Sequence, residues 1–154
     1  MRRIMLLAVL VTTLLAGLAG PAAATTATPQ ARVTSLVNAA RAKAGCAPLR
    51  VDARLTRAAQ GHSADMAKRR YFAHDTPGGT TPWTRIARAG YPRNAALAEN
   101  IAAGQPTADQ VARAWLRSPA HRANILDCRL RAVGTGLARG GPYGWYWTQD
   151  FGSR

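Results

Sequence analysis

Three histidines and a single glutamate stand out in this chain of 154 residues, because they can do chemistry that its many arginines cannot. They are His62, His74, His121 and Glu99. Two neutral imidazoles and a carboxylate suit a divalent ion, typically Zn²⁺, with coordination positions left open for water. A carboxylate at such a site can also act as a general base on the bound water. We therefore treat His74, Glu99 and His121 as candidate metal ligands and Glu99 as the candidate catalytic residue.

The position of Glu99 indicates a buried role. Leu97, Glu99 and Ile101 fall on one face of a predicted strand, so the carboxylate shares that face with apolar side chains. A buried carboxylate must be paired, protonated or metal-bound, because an isolated charge costs too much to desolvate. The spacing to the histidines differs from the compact H-E-x-x-H pattern. A second interpretation is therefore open, in which Glu99 pairs with an arginine and the histidines are core residues.

The charge balance is strongly basic: 21 Lys and Arg oppose 7 Asp and Glu, for a formal net charge of +14. The arginines are scattered along the chain, so we predict no specific nucleic-acid site. An exported protein of this charge would be attracted to anionic envelope polymers or lipid head groups. The alternative is that arginine content reflects the genome. Because 47% of the residues are apolar, the chain can build the core of one domain.

The first residues have the features of a secretory signal peptide. Arg2 and Arg3 precede the apolar run Ile4–Ala19, and the small residues up to Ala24 suit cleavage. The run is shorter than the roughly 20 residues of a membrane-spanning helix. We expect a secreted monomer with no transmembrane span after cleavage near Ala24. The predicted organisation is a signal peptide at 1–24, a short leader at 25–30 and one domain at 31–154.

Export changes how the two cysteines are interpreted. In an oxidising compartment Cys46 and Cys128 are predicted to form a disulfide that closes a long loop. Two buried free thiols are the alternative. Two cysteines are too few for a cysteine-rich zinc finger, and Ser63 and Ser118 lie outside any G-x-S-x-G elbow. Covalent catalysis is therefore disfavoured.

Hydrophobic periodicity predicts helices over most of the first two thirds of the mature chain. His62 falls on the inner face of the second helix, which we expect to end near Tyr71-Phe72. His121 falls in the first turn of a short helix that Pro119 opens. The signals for the helix starts, in chain order, are Val33, the cap Asp52, Thr81-Pro82, the capping box of Thr107 with Gln110, and Pro119.

Alternating patterns predict three strands. They lie around Leu97–Ala102, Val133–Leu137 and Trp145–Phe151, with a turn at Gly140-Gly141-Pro142. Gly134 and Gly136 within a strand indicate a bulge or close packing. With no regular βαβ alternation, an α+β fold fits best, with helices packed on a small antiparallel sheet.

Several motifs, taken in order, support a family resemblance. They are Ala59 to Ala67 around His62, Tyr71-Phe72-Ala73-His74, Arg85-Ile86, Gly90-Tyr91, Ala98-Glu99-Asn100-Ile101, Trp115 to Leu126 around His121, Val133-Gly134-Thr135-Gly136, and Tyr146 to Gly152. The chain resembles bacterial secreted CAP-domain proteins of the SCP/TAPS superfamily, which includes cysteine-rich secretory, antigen 5 and pathogenesis-related 1 proteins. The resemblance covers about residues 31–152. It implies an α-β-α sandwich with a cleft of two His and two Glu, which binds a divalent metal in some members.

Position by position, His74 resembles the first cleft histidine of the family, Glu99 its first glutamate and His121 its second histidine. The second glutamate is missing, and Ser118 is its expected equivalent. This loss predicts weak metal binding. His62 is expected either in the core or behind the cleft, supporting a ligand residue.

Two functions follow from these residues and the resemblance. The first is a non-enzymatic extracellular binding module for a lipid, an envelope polymer or a protein, since members of the family mostly act through binding. The alternative is a metal-dependent extracellular hydrolase in which His74 and His121 hold the metal and Glu99 acts as general base.

Overall fold

The computed structural model describes residues 27–154, so the predicted signal peptide lies outside the described residues. The elements of the described chain are α1 (Pro29–Lys43), β1 (Arg50–Val51), α2 (Ala53–Arg69), α3 (Pro82–Arg88), β2 (Leu97–Ala103), α4 (Ala108–Arg117), α5 (Pro119–Leu126), β3 (Ala132–Gly140) and β4 (Gly144–Gly152). This order confirms the predicted α+β class. The first helix begins inside the predicted leader at 25–30. Within residues 27–154, no helix combines the length and apolarity needed to cross a bilayer.

The strands form one sheet in the order β1-β3-β4-β2. β3 and β4 make the predicted hairpin, and β4 also pairs antiparallel with β2, which places Glu99 opposite Asp150. The short β1 pairs parallel with β3 through Arg50 and Val51. The antiparallel prediction is therefore confirmed for the three long strands, while β1 makes the sheet mixed. A strand of two residues is too short to reveal itself by alternation.

One face of the sheet is covered by α1, α4 and α5. Val133, Trp147 and Phe151 are fully buried in the apolar cluster on this side. Trp115 of α4 joins the same cluster, and its Nε1 donates to the backbone carbonyl of Ile101 at 3.1 Å. Apolar packing and this hydrogen bond together fix α4 against β2.

The opposite face is covered closely by α2. A Cβ on Gly134 would collide with the backbone of Leu55, and one on Gly136 would collide with the backbone of Ala59. Of the two roles predicted for these glycines, close packing is the one observed. Along β2 and β4, the side chains that face α2 alternate with those that face the apolar cluster on the other side of the sheet. Glu99 is one of those that face α2.

The helix ends largely follow the predicted signals. Asp52, Thr81 and Thr107 each accept a hydrogen bond from a backbone N–H in the first turn of α2, α3 and α4, respectively. Helix α2 ends at Arg69, slightly earlier than predicted, because Arg70 adopts a left-handed conformation with φ 61 and ψ 41. This early turn starts the connection that carries His74.

Cys46 and Cys128 form the predicted disulfide. Beside it lies Arg41 of α1, which is fully buried. Its guanidinium donates to the backbone carbonyls of Ala47, Ile125, Asp127 and Leu130. Because these carbonyls belong to the segment after Cys46 and to the end of α5 and the segment around Cys128, one buried side chain satisfies polar groups on either side of the disulfide.

Candidate functional site

The centre of the candidate site is Glu99, whose side chain is only 2% exposed. Each carboxylate oxygen has its own partner. His74 Nδ1 lies 2.7 Å from Oε1, and Arg85 Nη2 donates to Oε2 at 2.6 Å. An ionised carboxylate only accepts hydrogen bonds, so Nδ1 of His74 carries the proton in this pair. The site is a buried carboxylate held between an imidazole and a guanidinium.

Three segments bring these side chains together. Glu99 lies in β2, His74 in the connection after α2, and Arg85 in α3. Arg85 Nη1 also donates to the backbone carbonyl of Thr80 at 3.0 Å. One guanidinium of α3 therefore links the preceding connection to β2.

The electrostatic balance around Glu99 favours its charged form. Burial raises the pKa of the carboxyl group, but the hydrogen bond from His74 and the positive charge of Arg85 outweigh burial. The net pKa of Glu99 therefore lies below its ordinary value. The glutamate is ionised at neutral pH although it is buried.

Asp150 is the cross-strand neighbour of Glu99 on β4 and is fully buried. No donor among the described residues contacts either of its carboxyl oxygens. Burial, and then the negative charge of Glu99, raise the pKa of Asp150 well above its ordinary value. The raised pKa favours the neutral form of Asp150 beside the ionised Glu99.

His62 lies on the inner face of α2, as predicted, and is 1% exposed. Its Nε2 lies 3.0 Å from the backbone carbonyl oxygen of Ala73, so Nε2 carries a proton and donates there. Burial, and then the charge of Arg85, lower the pKa of His62. The ring is neutral, and it fixes the backbone immediately before His74. The ring therefore lies in the core behind the cleft, and its role in supporting a ligand residue stays a prediction.

His121 lies in the first turn of α5, as predicted, and is half-buried. Its backbone carbonyl accepts from Asn100 Nδ2 at 3.2 Å, while its imidazole makes no hydrogen bond within the described part of the chain. Burial, and then the positive charge of His74, lower the pKa of His121. The two imidazoles are therefore within electrostatic reach of each other, but Glu99 bonds only His74.

A cleft of about 420 Å³ opens beside His74 and Glu99. Neither His121 nor Ser118 is among its lining residues. Ser118 is half-buried at the junction of α4 and α5. The remaining walls come from the α2–α3 connection, α3, β2 and α5, through Asp75, Thr81, Pro82, Trp83, Leu97, Ala98 and Asn124.

Comparison with known proteins identifies the family. The profile of the cysteine-rich secretory protein family, CAP, matches residues 34–151. The chain belongs to the CAP family. The uncharacterized protein YkwD of Bacillus subtilis (strain 168) is 38% identical over 120 residues, which are 78% of this chain and 45% of YkwD. The uncharacterized membrane protein YlbC of the same strain is 30% identical over 124 residues, which are 80% of this chain and 34% of YlbC. The chain thus spans less than half the length of these two relatives.

Solved structures share the fold of this CAP domain. An extracellular protein containing a SCP domain from Bacillus anthracis str. Ames has a TM-score of 0.75 and 29% identity, covering 82% of this chain and 40% of that protein. An outer surface protein from Borrelia burgdorferi has a TM-score of 0.70 and 24% identity, covering 79% of this chain and 90% of that protein. The second likeness shows the fold alone. Together they confirm the expected α-β-α sandwich.

The residues of the CAP domain do not fit a divalent ion in this arrangement. No three His, Cys, Asp or Glu side chains within residues 27–154 are placed to hold one. Both oxygens of Glu99 are engaged, and the guanidinium of Arg85 repels a cation at that position. Ser118 supplies no carboxylate to the cleft. The metal role of His74, Glu99 and His121 stays a prediction.

Sequence reasoning missed three residues of the CAP site. Arg85 is one of many arginines, and only its place in a family motif could have singled it out. Asp150 alternates with the apolar residues of β4, which could have marked it as a polar residue on the opposite face of that strand. Asn124 donates to the Glu99 carbonyl at 3.3 Å and to Asn100 Oδ1 at 2.9 Å, so it links α5 to the edge strand.

Proposed function

We propose that this CAP domain is a non-catalytic binding domain of an extracellular protein, with its ligand in the cleft at His74 and Glu99. The observation that carries the proposal is the double engagement of Glu99 by His74 and Arg85. A general base must reach the proton that it removes. A carboxylate that is buried and bonded at both oxygens is better suited to orienting His74 than to accepting a proton from a substrate.

His74 provides the polar contact for the ligand. Since Nδ1 donates to Glu99, Nε2 is the ring nitrogen that remains for a ligand, and 51% of the side chain is exposed. In the neutral ring this nitrogen accepts a hydrogen bond, so a hydroxyl or amide group fits. The half-exposed indole of Trp83 adds an apolar wall. A polar group carried by an envelope polymer, a lipid or a protein would meet both features.

Three observations support an extracellular setting. The first 24 residues have the pattern of a signal peptide. The disulfide between Cys46 and Cys128 suits an oxidising compartment. The similar structure from Bacillus anthracis str. Ames is named as an extracellular protein. Secretion is therefore part of the proposal.

The alternative is a metal-dependent extracellular hydrolase that uses His74 and His121 for the metal and Glu99 as general base. In its favour, His74 is close enough to His121 to contribute to the lowered pKa of that imidazole. Against it stands the engagement of Glu99, which leaves no free oxygen for base catalysis. We therefore prefer binding as the function.

Co-sedimentation of the purified protein with isolated cell-wall sacculi tests the proposal, with phosphatidylglycerol vesicles as a parallel arm for lipid. We expect saturable binding in one of the two arms and no release of soluble fragments from the sacculi. His74→Ala should weaken binding by up to about tenfold, the value of one hydrogen bond. Gln110→Ala is the control, because Gln110 is an exposed residue of α4 that does not line the cleft.

An equal loss in both variants would reject the cleft as the binding site. Release of soluble fragments by the wild type but not by Glu99→Gln would instead establish the hydrolase. Thermal unfolding of each variant distinguishes a local effect from loss of the fold.

A further inference from the structure

A second depression, which we name the α3 groove, lies beside the cleft. It has a volume of about 370 Å³ and is formed by α3, the loop that follows it and the start of β2. Ile86 and Tyr91 are its fully buried lining residues. Trp83, Arg88 and Arg93 are its exposed ones. The groove therefore has an apolar base and a basic, aromatic rim.

The two arginines of the α3 groove are free to bind a ligand. Neither Arg88 nor Arg93 takes part in an ion pair among the described residues, whose pairs use Arg32, Arg54, Arg69, Arg85 and Arg129. No carboxylate lines the groove. Two unpaired guanidinium groups on a basic protein attract anions and bind carboxylate, sulfate or phosphate groups in bidentate geometry.

Trp83 adds a flat apolar surface to this cationic rim. Its side chain is 49% exposed, and it lines both the α3 groove and the cleft. An exposed indole of this size is a feature of binding surfaces, since it offers a large contact area with one polar N–H. The ring face of a sugar presents C–H groups that can pack on an indole. A sugar that carries an acidic substituent would use Trp83 and the arginines together.

The surroundings disfavour two other occupants. An acyl chain would find no continuous apolar wall, because Thr84, Arg88 and Arg93 interrupt the lining. An extended peptide would add to the edge of β2 through main-chain hydrogen bonds. The carbonyls of Glu99 and Ile101 on that edge already accept from side chains of α5 and α4.

We infer that the α3 groove binds an acidic polysaccharide, with a sugar ring on Trp83 and its anionic substituents on Arg88 and Arg93. The inference names a ligand class for the surface next to the cleft, and it rests on the proposed function for its extracellular setting. Trp83 and Leu97 line both depressions. A polymer chain seated in the groove can therefore continue toward His74.

Titration calorimetry with polygalacturonate and with dextran sulfate, at physiological ionic strength, tests the inference. We expect binding to at least one of them and none to neutral dextran. Trp83→Ala should weaken binding about tenfold through the lost aromatic contact. Arg88→Ala/Arg93→Ala should weaken it by at least about as much. The control is Arg113→Ala/Arg117→Ala, which removes the same charge from the exposed side of α4.

Several results would exclude the α3 groove as a polysaccharide site. Binding to neither polysaccharide, equal binding to polyglutamate, or an equal loss in the control double variant would overturn the inference. So would an unchanged affinity of Trp83→Ala, or binding to phosphatidylglycerol vesicles in place of the polysaccharides. His74→Ala separates the two proposals: full affinity for the polysaccharide together with loss of binding to sacculi supports the groove and the cleft as distinct sites.

Discussion

The two faces of the sheet bury very different groups. Under α1, α4 and α5 lie the large apolar side chains of the cluster that contains Trp147 and Phe151. Under α2 lie Glu99 and Asp150, with Ser63 of the helix donating to Thr148 at 2.9 Å. The first face buries large apolar side chains, whereas the α2 face combines these polar groups with smaller apolar clusters, such as the one of Met66, Ile101 and Tyr146.

The difference follows from how closely each layer approaches the sheet. On the α2 face, glycines at positions 134 and 136 let the helix backbone contact the strand directly, which leaves no room for a side chain at these two positions. Polar side chains and small apolar clusters fill the space on either side of this contact. The face under α1, α4 and α5 therefore contributes mainly to stability, while the α2 face maintains the geometry behind the cleft.

The largest effect is expected from the apolar face. Phe151→Ala removes a fully buried ring from the cluster and should lower the free energy of unfolding by about 3–5 kcal/mol. Urea denaturation measures this loss. Below the melting transition, binding at the cleft should be unchanged. A loss under about 1 kcal/mol, or impaired binding by the folded variant, would show that the two faces are not separate in role.

Arg85→Ala is expected to lower stability less than Phe151→Ala does. Unlike that substitution, it should also change the cleft. The substitution leaves buried Glu99 without its cationic partner, which we expect to cost about 3 kcal/mol near neutral pH. It also removes the contact between Arg85 and Thr80. A double-mutant cycle with Glu99→Gln measures the coupling of the pair. Additive effects of the two substitutions would contradict the ion pair as the source of the loss.

A pH-dependent effect is expected at Asp150. The pKa of Asp150 is raised in the folded state, so the folded protein holds this proton more tightly than the unfolded chain. The stability that Asp150 contributes is therefore fully present below its unfolded pKa of about 3.9. It is lost as pH rises toward the folded pKa. Asp150→Asn keeps the shape of the side chain but does not titrate. The variant should gain stability over the wild type by up to about 1.4 kcal/mol per pH unit within that window.

Chemical unfolding of wild type and Asp150→Asn measures this gain in stability from about pH 4, near the unfolded pKa of Asp, to about pH 8. The lowered pKa of Glu99 acts at lower pH, where its stabilisation is lost as pH falls through the folded pKa. A constant difference between wild type and Asp150→Asn would mean that Asp150 is not protonated in the folded protein.

The smallest effect is expected from Zn²⁺. Because Glu99 is engaged and Ser118 is no carboxylate, we expect binding of micromolar affinity or weaker at about pH 7.5. It should weaken further at about pH 5.5, where protons compete for imidazoles with an ordinary pKa near 6.5. Titration calorimetry at both pH values provides the measurement. Equal binding by wild type and His121→Ala would remove His121 from the set of ligands.

The sequence alone determined the local features of this protein. Caps at Asp52, Thr81 and Thr107 marked three helix starts, because a cap acts within a few residues of itself. Alternation assigned Glu99 to a buried strand face, since the side chains of a strand alternate between its two faces. Because Glu99 is the only glutamate of the chain, it was also a candidate site residue.

The partners of Glu99 were decided only by the tertiary structure. Alternation names the face of a strand, but not which strand lies beside it or in which register, so Asp150 could not be placed opposite Glu99. Nothing local distinguishes Arg85 from the other arginines, because its contact depends on where α3 packs. The same limit applies to His121, which the sequence grouped with His74 and Glu99, because its position relative to them depends on how α5 packs. Side-chain type and local spacing act over a few residues, while the choice of partner depends on contacts between segments far apart in the chain.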